Sequence, residues 1–548
     1  MGKSKKSLLA SGLSLSFFTL CSRILGLIRE MTKAAFLGTS KFADAFGIAF
    51  MIPNLLRRLF AENSISVAFI PTFRGYLEEA SGREKDSEEV KKTKEFLNST
   101  LTLISFCTTV VVLIGIAVSS LIVPLFLDSS DKVLTAEAAL LTRIMFPYLF
   151  VISVAAFFQG ILNGVRIFSP SGFTPVLFNS IVIAFTYILT PILTKNIQDA
   201  EIRAQMAARA MSAGVLCGGC VQALFQLPFV LKTGWGCRFT SLKKAFTNPG
   251  TRKVLSLVGP TIIGMAAYQL NDVISTALAG KAGTGIVSSL QYSLRLQELI
   301  LGIFAVSIGT VILPDLSGLA KKKEWEDFNR LLAQALKIIA LISIPVTFYS
   351  LVTGKEIISL VYKSKNFDET SVHLTLTAFR FHIAGLFFIA MNRVTAPAFY
   401  AQGNTKSPTL AGILGLVINM IFAVILIKPM SGGGIALALT LGSLANSILL
   451  FVFLRKNPAI DVRSVVGGTV IYSLKMCAFS VIAGVPAFFV RKAMLGVLAG
   501  RGRLIEYGGT VTATALVFAL TGIALLVITK DPMLSGVTKM IKRRVKKA

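Results

Sequence analysis

At 548 residues, 54% of them aliphatic, aromatic or sulfur-bearing and 15% charged, with a mean hydropathy of +0.72, the chain lies outside the profile of soluble globular domains. Its 56 lysines and arginines against 27 acidic residues would suggest nucleic acid in a soluble chain. Here the basic residues gather in alternate loops, so the surplus reads as membrane orientation and calls for no nucleic-acid partner. The composition specifies an all-α polytopic membrane protein.

The first stretch, "MGKSKKSLLASGLSLSFF", has the basic start and apolar run of a signal peptide. No small-residue cleavage pattern follows and apolarity continues to Leu37, so it reads as a retained first span. Fourteen spans follow from apolar runs of bilayer length: 10–37, 43–70, 96–126, 139–163, 173–195, 211–232, 255–280, 285–314, 330–353, 374–402, 409–428, 433–455, 466–490 and 508–529. The long polar segment "RGYLEEASGREKDSEEVKKTKEF" after span 2 reads as a loop with some helix. Basic residues concentrate at the N-terminus, in 74–95, 232–253 and 321–330, and in the tail "KMIKRRVKKA", which places both termini in the cytoplasm.

Six cysteines fall mostly within or beside spans, which argues against a disulfide framework. "CGGC" at 217–220 invites a redox reading, but on a glycine-rich membrane helix small residues serve close packing. His373 and His382 lack a supporting ligand cluster, so no metal site is expected. Neither an acidic metal cluster nor a nucleophile–base pair is visible, and no catalytic residue is assigned; the chain reads as a transporter and not an enzyme.

Compared with itself at an offset of about 240 residues, the chain repeats. "SISVAFIPTF" at 64–73 matches "SIGTVILPDL" at 307–316, and the stretch ending at Pro170 resembles the one ending at Pro408. The expected organisation is a six-helix lobe over 1–232, a second over 233–460, and helices 13 and 14 with the basic tail over 461–548. An even helix count makes the lobes parallel repeats around a central cavity.

Ionisable residues inside a membrane are costly and normally face protein or water. Here they cluster on the first two helices of each lobe: Arg23, Arg29, Glu30 and Lys33; Asp44, Arg57, Arg58 and Glu62; Asp272 beside Asn271; and Arg295 with Glu298. Arg23, Arg57 and Arg295 fall near mid-membrane, with Arg29 and Asp272 further outward. Arg23 and Arg29 are about 9 Å apart along an ideal helix and about 120° around it, so Gly26 is the expected place for a bend. Two explanations stand. One is an internal salt-bridge lattice, since Arg58/Glu62 and Arg295/Glu298 have helical contact spacing. The other is a grip on a phosphate-bearing ligand, for which the planar guanidinium fork suits better than lysine.

The runs "SRILGLIRE", "ADAFGIAFMIPNLLRRLFAENSISVAFIPTF" and "YSLRLQELILGIFAVSIGTVILP" resemble the lipid II flippase MurJ (MviN) family, of the multidrug/oligosaccharidyl-lipid/polysaccharide exporter superfamily. That resemblance covers essentially the whole chain. It implies movement of the undecaprenyl-diphosphate-linked peptidoglycan precursor from the inner to the outer leaflet of the bacterial cytoplasmic (inner) membrane. By the same resemblance Arg23, Arg29, Arg57 and Arg295 match the family's cavity arginines, and Asp44 and Glu298 its acidic residues; helices 13 and 14 would carry the lipid tail. Lipid II and membrane lipids are then the partners, with the cell-wall synthesis machinery as a further candidate. The family's R-L-x-x-x-P signature usually closes on proline; after Arg295-Leu296 this chain reads Leu299-Ile300 there.

Arg58, Glu62, Glu30 and Glu298 are expected to support the four arginines, the carboxylates pairing with them when no substrate is bound. No cofactor is expected. The energy source is membrane potential or a coupled Na⁺ or H⁺; Asp272 and Asn271 are the candidate cation site, against an Asp272 neutralised by a neighbouring arginine. Three other functions fit the residues less well. A multidrug exporter would want acidic and aromatic lining, a polyprenyl-phosphate transferase a catalytic cluster, and a scaffold would not explain charges on matching helices.

Overall fold

Long apolar runs bounded by short polar turns can satisfy their backbone only as helices, and the computed structural model, which describes residues 2–59, 65–84, 86–128 and 130–533, contains no strand among them. Glu62, Ser64 and the basic tail lie outside the described residues. The chain divides into two compact units, Met1–Ser288 and Ser289–Ala548.

The N-terminal unit contains α1 (Gly2–Leu37), α2 (Lys41–Arg57), α3 (Ile70–Ala80), α4 (Glu88–Ile122), α5 (Lys132–Met145), α6 (Pro147–Gly164), α7 (Ser169–Leu193), α8 (Ala200–Lys232), α9 (Leu242–Thr247) and α10 (Pro249–Ala282). A π-helical turn, Ile65–Phe69, leads into α3. Helix starts are written in the sequence: Ser40 and Asp131 accept from Ala43 N at 3.3 Å and Leu134 N at 2.9 Å, and Ser87 precedes Glu88 and Glu89 in the first turn of α4. The core is aromatic, with Phe69 stacked on Phe73 and Phe96 at 5.5 and 5.7 Å and tilted against Phe157 at 5.0 Å. At the α1–α2 turn, the Glu201 carboxylate hydrogen-bonds Lys41 and holds its ammonium above the usual lysine range.

In the C-terminal unit are α11 (Ile286–Lys322), whose first three residues belong to the N-terminal unit, and α12 (Trp325–Tyr362), α13 (Glu369–Ala384), α14 (Leu386–Ala401), α15 (Lys406–Met430), α16 (Gly432–Leu454), α17 (Gly468–Leu498) and α18 (Gly509–Ile528). π-helical turns, Arg463–Gly467 and Leu504–Gly508, lead into α17 and α18. Glycines let α15 and α16 touch: a Cβ on Gly442 would sit 2.6 Å from Gly415 O.

Two of the expected spans are each built from two helices. The span expected at 139–163 breaks between α5 and α6, where Pro147 cannot donate and occupies the first turn of α6. The one expected at 374–402 breaks at Gly385, packed so that a Cβ there would meet Thr440 Oγ1 at 2.4 Å. Among the described residues, ten helical stretches are long and apolar enough to cross a membrane. The four expected spans not among them are the first, second, seventh and eighth, the ones to which the arginine cluster was assigned.

Candidate functional site

Within the N-terminal unit, α1 runs unbroken through Arg23, Gly26, Arg29, Glu30 and Lys33. Arg29, on a side chain 19% exposed, donates from Nη2 to Glu30 Oε1 at 2.8 Å and from Nη1 to Asn179 Oδ1 of α7 at 3.2 Å. Its guanidinium lies 5.8 Å from the centre of the Phe178 ring. Asn179 donates in turn to Ser22 O at 3.3 Å, so one amide registers α7 against α1 at two points. A guanidinium has five N–H donors; with two used among the described residues, three remain for a ligand. Arg23 is part-buried and, among the described residues, makes no hydrogen bond or ion pair. Lys33 is buried, its ammonium 5.8 Å from the Phe46 ring centre.

On α2, Arg57 Nε donates to Asn54 Oδ1 at 3.0 Å, one turn back. Arg58 reaches α10, donating to Gln269 Oε1 at 3.4 Å and to Asp272 Oδ2 at 3.5 Å. Both members of the Arg58–Asp272 pair are about half exposed, so it is a weak, water-screened tie. Asp44 is 3% exposed and accepts from the backbone N–H groups of Gly285 and Ser288, at 2.5 and 2.7 Å. Those amides open α11, where helix N–H groups lack internal partners, so a carboxylate from α2 serves as the cap. Gly285 holds φ at +83°, a conformation that glycine adopts readily.

In the C-terminal unit, Arg295 donates from Nη1 to Glu298 Oε2 at 3.2 Å, one turn along its own helix, with the arginine 33% and the glutamate 60% exposed. Among the described residues, four of its five donors remain unused. Its neighbours fix the helix instead: Tyr292 packs on Tyr362 and Phe367 at 5.0 and 5.4 Å, Ser293 Oγ meets His382 Nδ1 at 2.7 Å, and Gln297 donates to His382 O. His382 is thereby engaged in packing α11 against α13.

A family model described as Lipid II flippase MurJ matches residues 33–499. The chain belongs to the lipid II flippase MurJ family. A relative from Treponema pallidum, described as a probable lipid II flippase MurJ, is 46% identical over 96% of this chain and 97% of its own. Another with the same description, from Vibrio cholerae, is 32% identical over 81% of this chain and 82% of its own. A solved structure titled "Lipid II flippase MurJ, inward closed conformation" shares the fold with a TM-score of 0.72 at 23% identity, covering 93% of this chain and 98% of that one.

In this MurJ-family chain α11 continues through Leu299 and Ile300, where the signature usually closes on proline; its internal proline is Pro314. Sequence reasoning missed Asn179, Gln269 and the amides of Gly285 and Ser288. Asn179 left a signal, a lone amide inside the apolar run of α7; backbone amides leave none. Two further ion pairs lie away from the arginine set. Arg209 grips Glu137 with bonds of 2.7 and 2.6 Å, and Arg491 donates to the buried Glu356 at 2.8 Å, each joining two helices. At "CGGC", a Cβ on Gly218 would lie 2.9 Å from Phe178 and one on Gly219 2.7 Å from Tyr148, the close approach that small residues permit.

Proposed function

We propose that this chain flips lipid II from the inner to the outer leaflet of the bacterial cytoplasmic membrane by alternating access, with Arg23, Arg29, Arg57 and Arg295 holding the diphosphate. The observation that carries the reading is the spare donor capacity of part-buried guanidiniums, four N–H groups at Arg295 and three at Arg29. A salt-bridge lattice would consume those donors; a diphosphate, rich in acceptors, takes them bidentately. The sugar-peptide headgroup and diphosphate cannot cross hydrocarbon alone, and arginines in a wet cavity replace their hydration while the polyprenyl chain stays in lipid against α17 and α18. Glu30 and Glu298, each already paired with its arginine, compete with phosphate and so favour release. Glu62 is proposed for the same role at Arg58.

The proposed architecture is fourteen spans, two parallel six-helix repeats around a central cavity and two added helices, with both termini cytoplasmic. Helix breaks in the fourth expected span of each half, at Pro147 and Gly385, support the repeat. Reporters after Ala80 and Lys322 should read cytoplasmic and one near Ser129 external. Asp272, with Arg58 at 3.5 Å, is the proposed place where a coupling cation and an arginine compete. In cells depleted of their native flippase, this chain should restore outer-leaflet exposure of the lipid-linked precursor. Good expression without restoration would overturn the reading.

A further inference from the structure

Between α8 and α10 the chain runs along the foot of α4 and is bolted to it. Arg238 N donates to Asn98 Oδ1 at 2.6 Å, Thr240 N donates to Thr102 Oγ1 at 2.9 Å, and the Phe246 ring meets Phe106 edge-on at 6.2 Å. The far end is closed as firmly. Thr251 donates from Oγ1 to Ala245 O at 2.6 Å, and Gly250 brings the start of α10 so near Phe96 that a Cβ there would lie 2.4 Å from the ring. These ties hold the short helix α9 against α4 in one register.

The helix it is tied to fixes its depth. Along α4 the residues Phe106, Val110, Leu113, Ile114, Leu121 and Leu125 are large, apolar and exposed. From Phe106 to Leu125 is about 29 Å along the helix, the thickness of a hydrocarbon core of roughly 30 Å. Asn98 and Thr102 stand in the turns before that strip, so Phe246 sits where headgroups give way to hydrocarbon. Phe239 and Leu242 are exposed beside it, Phe239 at 69%. Three large apolar side chains left bare on one short segment make a patch, and such patches mark contact surfaces. The charge around the patch has one sign. Arg238, Lys243, Lys244, Arg252 and Lys253 are all exposed, and none is in an ion pair among the described residues. No acidic residue occurs between Glu201 and Asp272. Membrane orientation needs only the charge count; it requires neither the ties to α4 nor the bare rings.

We propose that residues 237–253 are an interfacial anchor that binds anionic glycerophospholipid headgroups of the cytoplasmic leaflet. The five cations take phosphodiesters, and Phe239, Leu242 and Phe246 lie at the acyl boundary. A nucleic acid or an acidic protein would satisfy the cations and leave the rings in water. The bilayer satisfies both, at the depth that α4 sets.

The chain holds two tryptophans, and one of them, Trp235, stands three residues before Arg238. In the full chain carrying Trp325→Phe, reconstituted in phosphatidylcholine vesicles, brominated phosphatidylglycerol and brominated phosphatidylcholine are compared at equal mole fraction as quenchers of Trp235. The anionic lipid should be preferred by at least roughly fivefold. Raising the salt from about 0.1 M to about 1 M shortens the Debye length from about 10 to about 3 Å and should remove most of that preference. Arg238→Gln/Lys243→Gln/Lys244→Gln should cut it to about twofold or less, and the salt arm decides the matter on the unaltered segment if that variant does not insert. Phe239→Trp, combined with Trp235→Phe and Trp325→Phe, should emit to the blue of a tryptophan in water and be quenched by both lipids. Equal quenching by the two lipids, a preference unmoved by salt or by the triple variant, or water-like emission from position 239 would each overturn the proposal. None of these readouts involves transport, so their failure would leave the flippase reading standing.

Discussion

Arg29 and Arg295 are both part-buried guanidiniums on long helices with a glutamate in reach, yet they are held differently. Arg29 bonds a second helix through Asn179 and lies against the Phe178 ring, whereas among the described residues Arg295 bonds only Glu298, one turn along its own helix. An arginine tied to a neighbouring helix is both a ligand group and part of the packing, so its loss moves helices. One tied within its own turn can swing to a ligand at small cost, because an exposed i,i+3 ion pair contributes only a few tenths of a kcal/mol. Side by side, the two separate a fixed grip from a mobile one.

The largest effect is expected at the mobile arginine. Arg295→Ala, Arg295→Lys and the double variant Arg295→Ala/Glu298→Ala should insert normally and lose precursor exposure by at least roughly tenfold, because each removes the bidentate fork. Rescue in the double variant would make the residue a lattice member. Next comes Asp44→Ala, which strands the N–H groups of Gly285 and Ser288 and should lower stability by about 2–3 kcal/mol, with Asp44→Asn milder because it keeps one acceptor. Equal melting midpoints for the two variants and the parent would remove the cap from the account.

At the fixed arginine, Asn179→Leu should cost about 1 kcal/mol in stability, whereas Glu298→Gln should leave the melting midpoint unchanged. Equal losses would erase the distinction. Smaller still is Asp272→Asn: less than about 1 kcal/mol in stability, with loss of any Na⁺ or pH dependence of transport if the carboxylate takes the coupling cation. Cys217→Ala/Cys220→Ala should transport as the parent does; loss of activity at normal expression would restore the redox reading.

Ten of the expected spans and the clustering of charge on particular helices were legible because apolar length and charge depth are properties of single segments. Partner choice was not. Glu62, four residues on from Arg58, lies outside the described residues; the ties described run from Arg58 to Asp272 and Gln269 of α10, more than two hundred residues away, so helical spacing could not say which arginine neighbours Asp272. The breaks at Pro147 and Gly385 were missed for a related reason: a hydropathy run continues through a one-residue interruption, and what requires glycine at 385 is Thr440 on another helix. Asp44 stood out as a buried acid, but what it holds is main chain.

That last contact shapes what genetics can see. The amide at 285 survives any substitution that tolerates φ near +83°. Position 288 is more constrained, because Ser288 is fully buried and its hydroxyl donates to Gly285 O at 3.3 Å. A mutational scan should find an intolerant aspartate at 44 and small residues alone accepted at 288, and pair-covariation methods, which need both partners to vary, should see little of a link made through main chain.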